Sequence, residues 1–251
     1  MEEGYVRCTS ENNISIIEFF HPLSNSMPGY LLKELADTIN NEGVTDSRII
    51  VIRTVGSKAF CAGASFNELI AVSNEEQGLA FFSGFANVIN AMRKNPKLII
   101  ARIQGKCVGG GVGIASAADY VFATKAADIK LSELALGIGP FVIGPSVERK
   151  IGVAAFSELS MDAASWRSAQ WAKEKGLFNT VSGTIEEMDE KVKAFAGTLA
   201  HYSPEAMSEM KKVFWQGTEN WDALLKERAA ISGRLVLSPY AKNAIEKVRK
   251  K

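Results

Sequence analysis

Three short runs rich in β-branched residues, "NISIIEF" (13–19), "RIIVIRTV" (48–55) and "KLIIARI" (97–103), recur with helical segments between them. Strands this apolar need cover on both faces, and strands separated by helices pair in parallel through right-handed crossovers. The first intervening helix is expected to start at Pro28, whose fixed φ suits an opening turn, and it carries Leu31, Leu35 and Ile39 on one face. The next, about residues 75–93, places Leu79, Phe82, Ala86, Ile89 and Met92 at spacings of three and four, and Pro96 forbids its extension. The first two-thirds therefore read as α/β. Beyond about Gly144, successive helical segments are separated by Gly, Ser or Pro; Ser203 before Pro204 reads as an N-cap and Gly176 as a helix stop. The last third reads as helical.

A chain of 251 residues, 47% of them hydrophobic, can bury one large core. Its 29 basic and 28 acidic residues set up no field that would draw it to nucleic acid or an anionic membrane. Cys8, Cys61 and Cys107 are odd in number and far apart, and the opening residues lack a basic start followed by an apolar stretch, so a cytoplasmic location is expected. "GLAFFSGFANVINAM" is broken by Ser83, Asn87 and Asn90 and is too short to span a bilayer. His21 and His201 stand alone, so no metal site is expected. The tail "IEKVRKK" reads as a solvated helix end.

The segment "QGKCVGGGVGIASAADYVF" (104–122) raises a separate question, because Gly109, Gly110, Gly111 and Gly113 fill four of five positions. A dinucleotide-binding turn needs glycine or alanine where Ser116 stands. A phosphate-cradling loop needs Ser or Thr after Gly105-Lys106, where this chain has Cys107. What remains is a bare helix start beside a second turn of the same kind, "KAFCAGASFNEL" (58–69), which bends at Ala62-Gly63-Ala64. Two such turns can build an anion hole from backbone N–H groups without a charged side chain.

"AFCAGASFNEL" and "GKCVGGGVGIASAADYVFATKAADIKLSELALGIGP" resemble the two signature segments of the crotonase family, the enoyl-CoA hydratases and isomerases, in order and at the family's spacing. The likeness covers nearly the whole chain. It implies an α/β fold, a crotonase-like ββα superhelix, with a core over residues 1–195 and a helical oligomerisation region over 196–251 that packs protomers into a homotrimer or a dimer of trimers. The apolar residues of "LAFFSGFANV" and "GRLVLSPYAKNAI" are expected to be exposed for that packing. The resemblance further implies that a thioester oxygen sits between the N–H groups of Ala64 and Gly110. Ala62, Gly63, Gly109, Gly111 and Gly113 then fall on the substrate-contacting turns, with Asn25 along the pantetheine arm and Phe141 narrowing the acyl pocket. The substrate would be an acyl-CoA; coenzyme A belongs to it, and no separate cofactor is implied.

Hydratases of this family carry two glutamates that share one water. The first matching position here is Gly113 and the second is Glu133, which leaves Glu133 as the acid–base group. Asp119 reads as structural, and Ser65 and Ser132 are lesser polar candidates. With "GIGPFVIGPSVERKIG" this pattern looks like the methylglutaconyl-CoA hydratases and the related hydroxymethylglutaryl dehydratases, which implies reversible addition of water to a 2-enoyl-CoA, with 3-methylglutaconyl-CoA as a candidate substrate. A Δ3,Δ2-enoyl-CoA isomerase and a non-catalytic acyl-CoA-binding subunit stay open, as does acyl carrier protein in place of CoA.

Overall fold

The computed structural model describes residues 4–249. The chain opens with β1 (Tyr5–Glu11) and β2 (Ile14–Phe20), an antiparallel hairpin, followed by α1 (Gly29–Glu42), β3 (Ile49–Thr54), β4 (Ala59–Cys61), α2 (Phe66–Ala71) and α3 (Glu75–Lys94). Next come β5 (Leu98–Ile103), β6 (Lys106–Val108), α4 (Gly110–Ala117), β7 (Tyr120–Thr124) and β8 (Ile129–Lys130), then a single 3-10 turn at Leu134–Leu136. The remainder is α5 (Gly144–Met161), α6 (Ala169–Glu174), β9 (Thr180–Ser182), α7 (Ile185–Ala200), α8 (Pro204–Phe214), α9 (Trp221–Leu235) and α10 (Pro239–Arg249).

Two sheets divide the strands. One has the order β1-β2-β3-β5-β7-β9, parallel from β2 onward; the other is β4-β6-β8, also parallel. Each of β3, β5 and β7 hands the chain to a short strand of the second sheet before a helix returns it. That is a ββα turn repeated three times, the superhelix implied by the resemblance.

Alternation in β3 shows how the main sheet is covered. Ile50 and Ile52 face the large core with Leu31, Leu35 and Ile39 of α1 and Ile89 and Met92 of α3, while Ile49 and Val51 face a second cluster with Met188, Val192 and Ala196 of α7. Period-two side chains on a parallel strand require apolar cover on both sides, and the two clusters supply it. β9 departs from the helical reading of the last third: it extends the sheet by pairing with β7, and its three residues fall below the length at which alternation shows in sequence. α5 also departs from one continuous helix, because Gly152 sits inside it at φ 74° and breaks it. Gly176, at φ 88°, ends α6 as expected.

A buried ion pair ties the helical region to the sheet. Asp119 Oδ2 accepts from the Ile99 N–H at 2.8 Å and pairs with Lys211 Nζ at 3.0 Å, while Oδ1 accepts from Trp215 Nε1 at 3.0 Å. Asp119 is thus structural, as its place before β7 suggests. Among the described residues no helix is long and apolar enough to cross a membrane. Of the basic tail, Lys250 and Lys251 lie outside the described residues.

Candidate active site

The two glycine turns meet. Gly63, at φ 90°, comes so close to the β6–α4 turn that a Cβ on it would stand 3.1 Å from Val108 O and 3.9 Å from Gly110 N. Neither the Ala64 nor the Gly110 N–H finds a backbone acceptor among the described residues, and both residues line one cavity of about 190 Å³. Gly110 opens α4, all eight residues of which are buried, so the positive end of that helix points to the same place. Gly109, immediately before it, has φ 51°.

Glu133 enters this cavity from the segment after β8. A Cβ on Gly109 would lie 2.8 Å from Glu133 Oε1, so the bare backbone is what lets the carboxyl settle against the turn. Its Oε2 is buried with no hydrogen-bond partner. Burial pushes the carboxyl up to about 7, and the backbone N–H groups of Glu133 and Ser132 offset part of that rise. A carboxyl group near neutrality can give and accept a proton at working pH. The remaining lining is apolar, with Phe66, Leu69, Phe81, Phe82, Phe85, Phe141 and Ile143 among its walls and Ser232 its one polar contribution from α9.

The family described as enoyl-CoA hydratase/isomerase matches residues 9–248. The chain belongs to the enoyl-CoA hydratase/isomerase family. Methylglutaconyl-CoA hydratase of Rattus norvegicus is 33% identical over 200 residues, covering 78% of this chain and 63% of that protein. The peroxisomal Delta(3,5)-Delta(2,4)-dienoyl-CoA isomerase of Arabidopsis thaliana is 29% identical over 189 residues, 69% of this chain and 66% of that one. In fold, the chain resembles the enoyl-CoA hydratase structure from Bacillus halodurans with a TM-score of 0.89 at 20% identity, covering 97% of this chain and 99% of that one.

Within this enoyl-CoA hydratase/isomerase fold, the residues singled out by sequence divide into two groups. Ala62, Gly63, Ala64, Gly109, Gly110, Ser132, Glu133 and Phe141 line the cavity together. Gly111, Gly113 and Asn25 do not. A Cβ on Gly111 would meet Cys61 O at 2.7 Å, so this glycine serves the contact of α4 with β4 rather than substrate. A Cβ on Gly113 would stand 2.5 Å from Ile143 Cγ2, so the place of a first carboxylate is filled by an isoleucine methyl. The Asn25 amide is spent on backbone: Nδ2 donates to Val55 O and Ala59 O, each at 3.0 Å, and Oδ1 accepts from the His21 N–H at 3.0 Å. It holds the loop before α1 in place. Ser65 caps α2 by accepting from the Glu68 N–H at 3.4 Å.

The expected exposure of the apolar runs holds only in part: Tyr240 is exposed, but most of their large side chains are not. Phe81, Phe82 and Phe85 of α3 wall the cavity, and Val236, Ala241 and Ile245 are buried. The cause is the crossing of α3 and α9, whose backbones touch at Gly78 and Gly233: a Cβ on Gly78 would lie 2.6 Å from Gly233 Cα. Ser232 and Ile143 carry no sequence signal of their own, being ordinary residues placed by that crossing and by the start of α5.

Proposed function

We propose that the protein reversibly hydrates a short 2-enoyl thioester of coenzyme A. The observation that carries this reading is the buried Glu133 carboxyl, its Oε2 without a hydrogen-bond partner, beside two amides that have no backbone acceptor. The thioester oxygen accepts from the N–H groups of Ala64 and Gly110. Water oxygen bonds to C3 as the C2–C3 π pair becomes the C1–C2 double bond and the carbonyl π pair moves onto the thioester oxygen, giving an enolate. Each amide stabilises the developing charge by roughly 3–4 kcal/mol. The enolate then collapses as C2 takes the proton of Glu133, and the added water returns one of its own protons to the carboxylate. One carboxyl group serves both transfers because burial holds it near 7. Coenzyme A is part of the substrate, so the reaction as written draws on no further cofactor. The phenylalanine walls and Phe141 favour a short acyl group. We infer a homotrimer or a dimer of trimers, in keeping with exposed apolar side chains such as Val153 and Met161; sedimentation tests it.

A specific observation favours a second reading. With Ile143 where a second carboxylate would stand, one base in an apolar cavity suits proton transfer from C2 to C4, an enoyl-CoA isomerisation. Incubation with 2-enoyl-CoA and 3-enoyl-CoA in deuterated water separates the two. A 3-hydroxyacyl product deuterated at C2 supports hydration; conversion of the 3-enoyl thioester alone, with no hydroxyacyl product, replaces it with isomerisation.

A further inference from the structure

Ser232, in α9, is 1% exposed, and its Oγ has no hydrogen-bond partner among the described residues. A buried serine inside a helix can return its hydroxyl to a backbone carbonyl three or four residues back. Ser116 does so to Gly113 O at 2.8 Å and Ser146 to Ile143 O at 2.9 Å. Folded chains satisfy nearly all buried hydroxyls, so one left over on the wall of a cavity marks a contact that a ligand completes.

Ser232 and Glu133 line the same cavity, and Glu133 Oε2 is its other buried polar atom without a partner. They come from different walls. Glu133 rests on Gly109 after β8, whereas α9 is held against α3 by the contact of Gly233 with Gly78. Apart from Ser132, half-buried beside Glu133, every other side chain of the lining is apolar.

Addition of water asks for two acceptors. One O–H of the water passes its proton to the carboxylate, and the other, in an apolar cavity, loses its hydrogen bonding unless a second oxygen receives it. A carboxylate at position 113 would be that oxygen, but Ile143 fills its place.

We infer that Ser232 is a catalytic residue: its Oγ accepts from the second O–H of the water that adds to C3, and from the same hydroxyl in the 3-hydroxyacyl product. The serine gains and loses no proton; one water hydrogen goes to the Glu133 carboxylate and the other stays on the new hydroxyl. The inference rests on the hydratase reading and deepens it, since a proton shift from C2 to C4 has no water for Ser232 to hold.

The test sets hydration against exchange of the C2 hydrogen of butyryl-CoA in deuterated water, which draws on the two amides and Glu133 but on no attacking water. Hydration is read with crotonyl-CoA or 3-methylglutaconyl-CoA, whichever the unaltered protein turns over faster. Ser232→Ala is expected to lower the ratio of hydration to exchange about 10-fold, the loss of one hydrogen bond to a reacting group. Ser232→Cys, similar in size and a weaker acceptor, should lie between the two, and takes the place of Ser232→Ala should that variant fail to fold. A ratio equal to the parent's, whether both rates hold or both fall together, overturns the inference and leaves the hydratase reading standing. If the unaltered protein forms no 3-hydroxyacyl product, or exchanges no C2 hydrogen, the hydratase reading itself fails and this role falls with it.

Discussion

The Glu133 carboxyl rests against the bare Cα of Gly109: a methyl group there would stand 2.8 Å from Oε1 and 3.4 Å from Cδ, on a backbone at φ 51°. This contact puts the proposed acid–base group next to the residue whose successor, Gly110, lines the cavity with an amide that has no backbone acceptor. Gly109→Ala is expected to displace the carboxyl and lower kcat by about 100-fold. The strained backbone should cost about 1–3 kcal/mol of stability. Steady-state kinetics and thermal denaturation of the same preparation check both; unchanged kcat in a folded variant would count against the contact.

Glu133→Gln is expected to lower turnover about 100-fold or more, the usual contribution of a positioned acid–base group. It should also change how stability depends on pH. Burial raises the carboxyl from its ordinary 4.5 to about 7, so between those values the folded chain keeps a proton that the unfolded chain releases. This contribution is fully present below 4.5 and lost as pH rises through 7, a difference of up to about 3 kcal/mol. The variant lacks it. Its midpoint of thermal unfolding should match the parent's near pH 4 and exceed it at pH 8, measured by calorimetry across that range.

Gly113→Glu is expected not to supply a second catalytic carboxylate, because Ile143 occupies the space. Overpacking there should cost about 1–3 kcal/mol. Adding Ile143→Ala should recover most of that loss. Denaturant titration of the single and double variants measures the recovery, and full stability of Gly113→Glu alone would contradict the packing described.

Lys211→Ala leaves Asp119 buried and without its cation, which typically costs about 3–5 kcal/mol. Replacing both partners, Asp119→Asn with Lys211→Met, should cost less than Lys211→Ala alone. A double-mutant cycle by urea unfolding reads the difference.

The elements legible in sequence are the long ones. β2, α1, β3, α3 and β5 each carry six or more residues, enough for an apolar period to emerge from "ISIIEFF" or "LIIARI". β4, β6, β8 and β9 have two or three residues each, too few for any period, and so the second sheet is invisible until the chain is folded. β1 escapes notice because it is a mostly exposed edge with little apolar pattern. Of the site, the two turns stand out by Gly63 and Gly109, whose positive φ favours glycine, and Glu133 by its place in the segment that resembles the family. Ile143 and Ser232 do not, since packing between distant helices is what brings them to the cavity of the glycines. Asn25 shows the opposite failure, a polar residue near the site in sequence whose amide is consumed in holding a loop.

A crystal structure of the protein with a bound acyl-CoA that mimics the enolate, such as acetoacetyl-CoA, tests the central claim most directly. The account expects the thioester oxygen within about 2.7–3.1 Å of the amide nitrogens of both Ala64 and Gly110, with the Glu133 carboxyl facing C2. A thioester oxygen bound away from those amides, or a Glu133 carboxyl turned from C2, would contradict it.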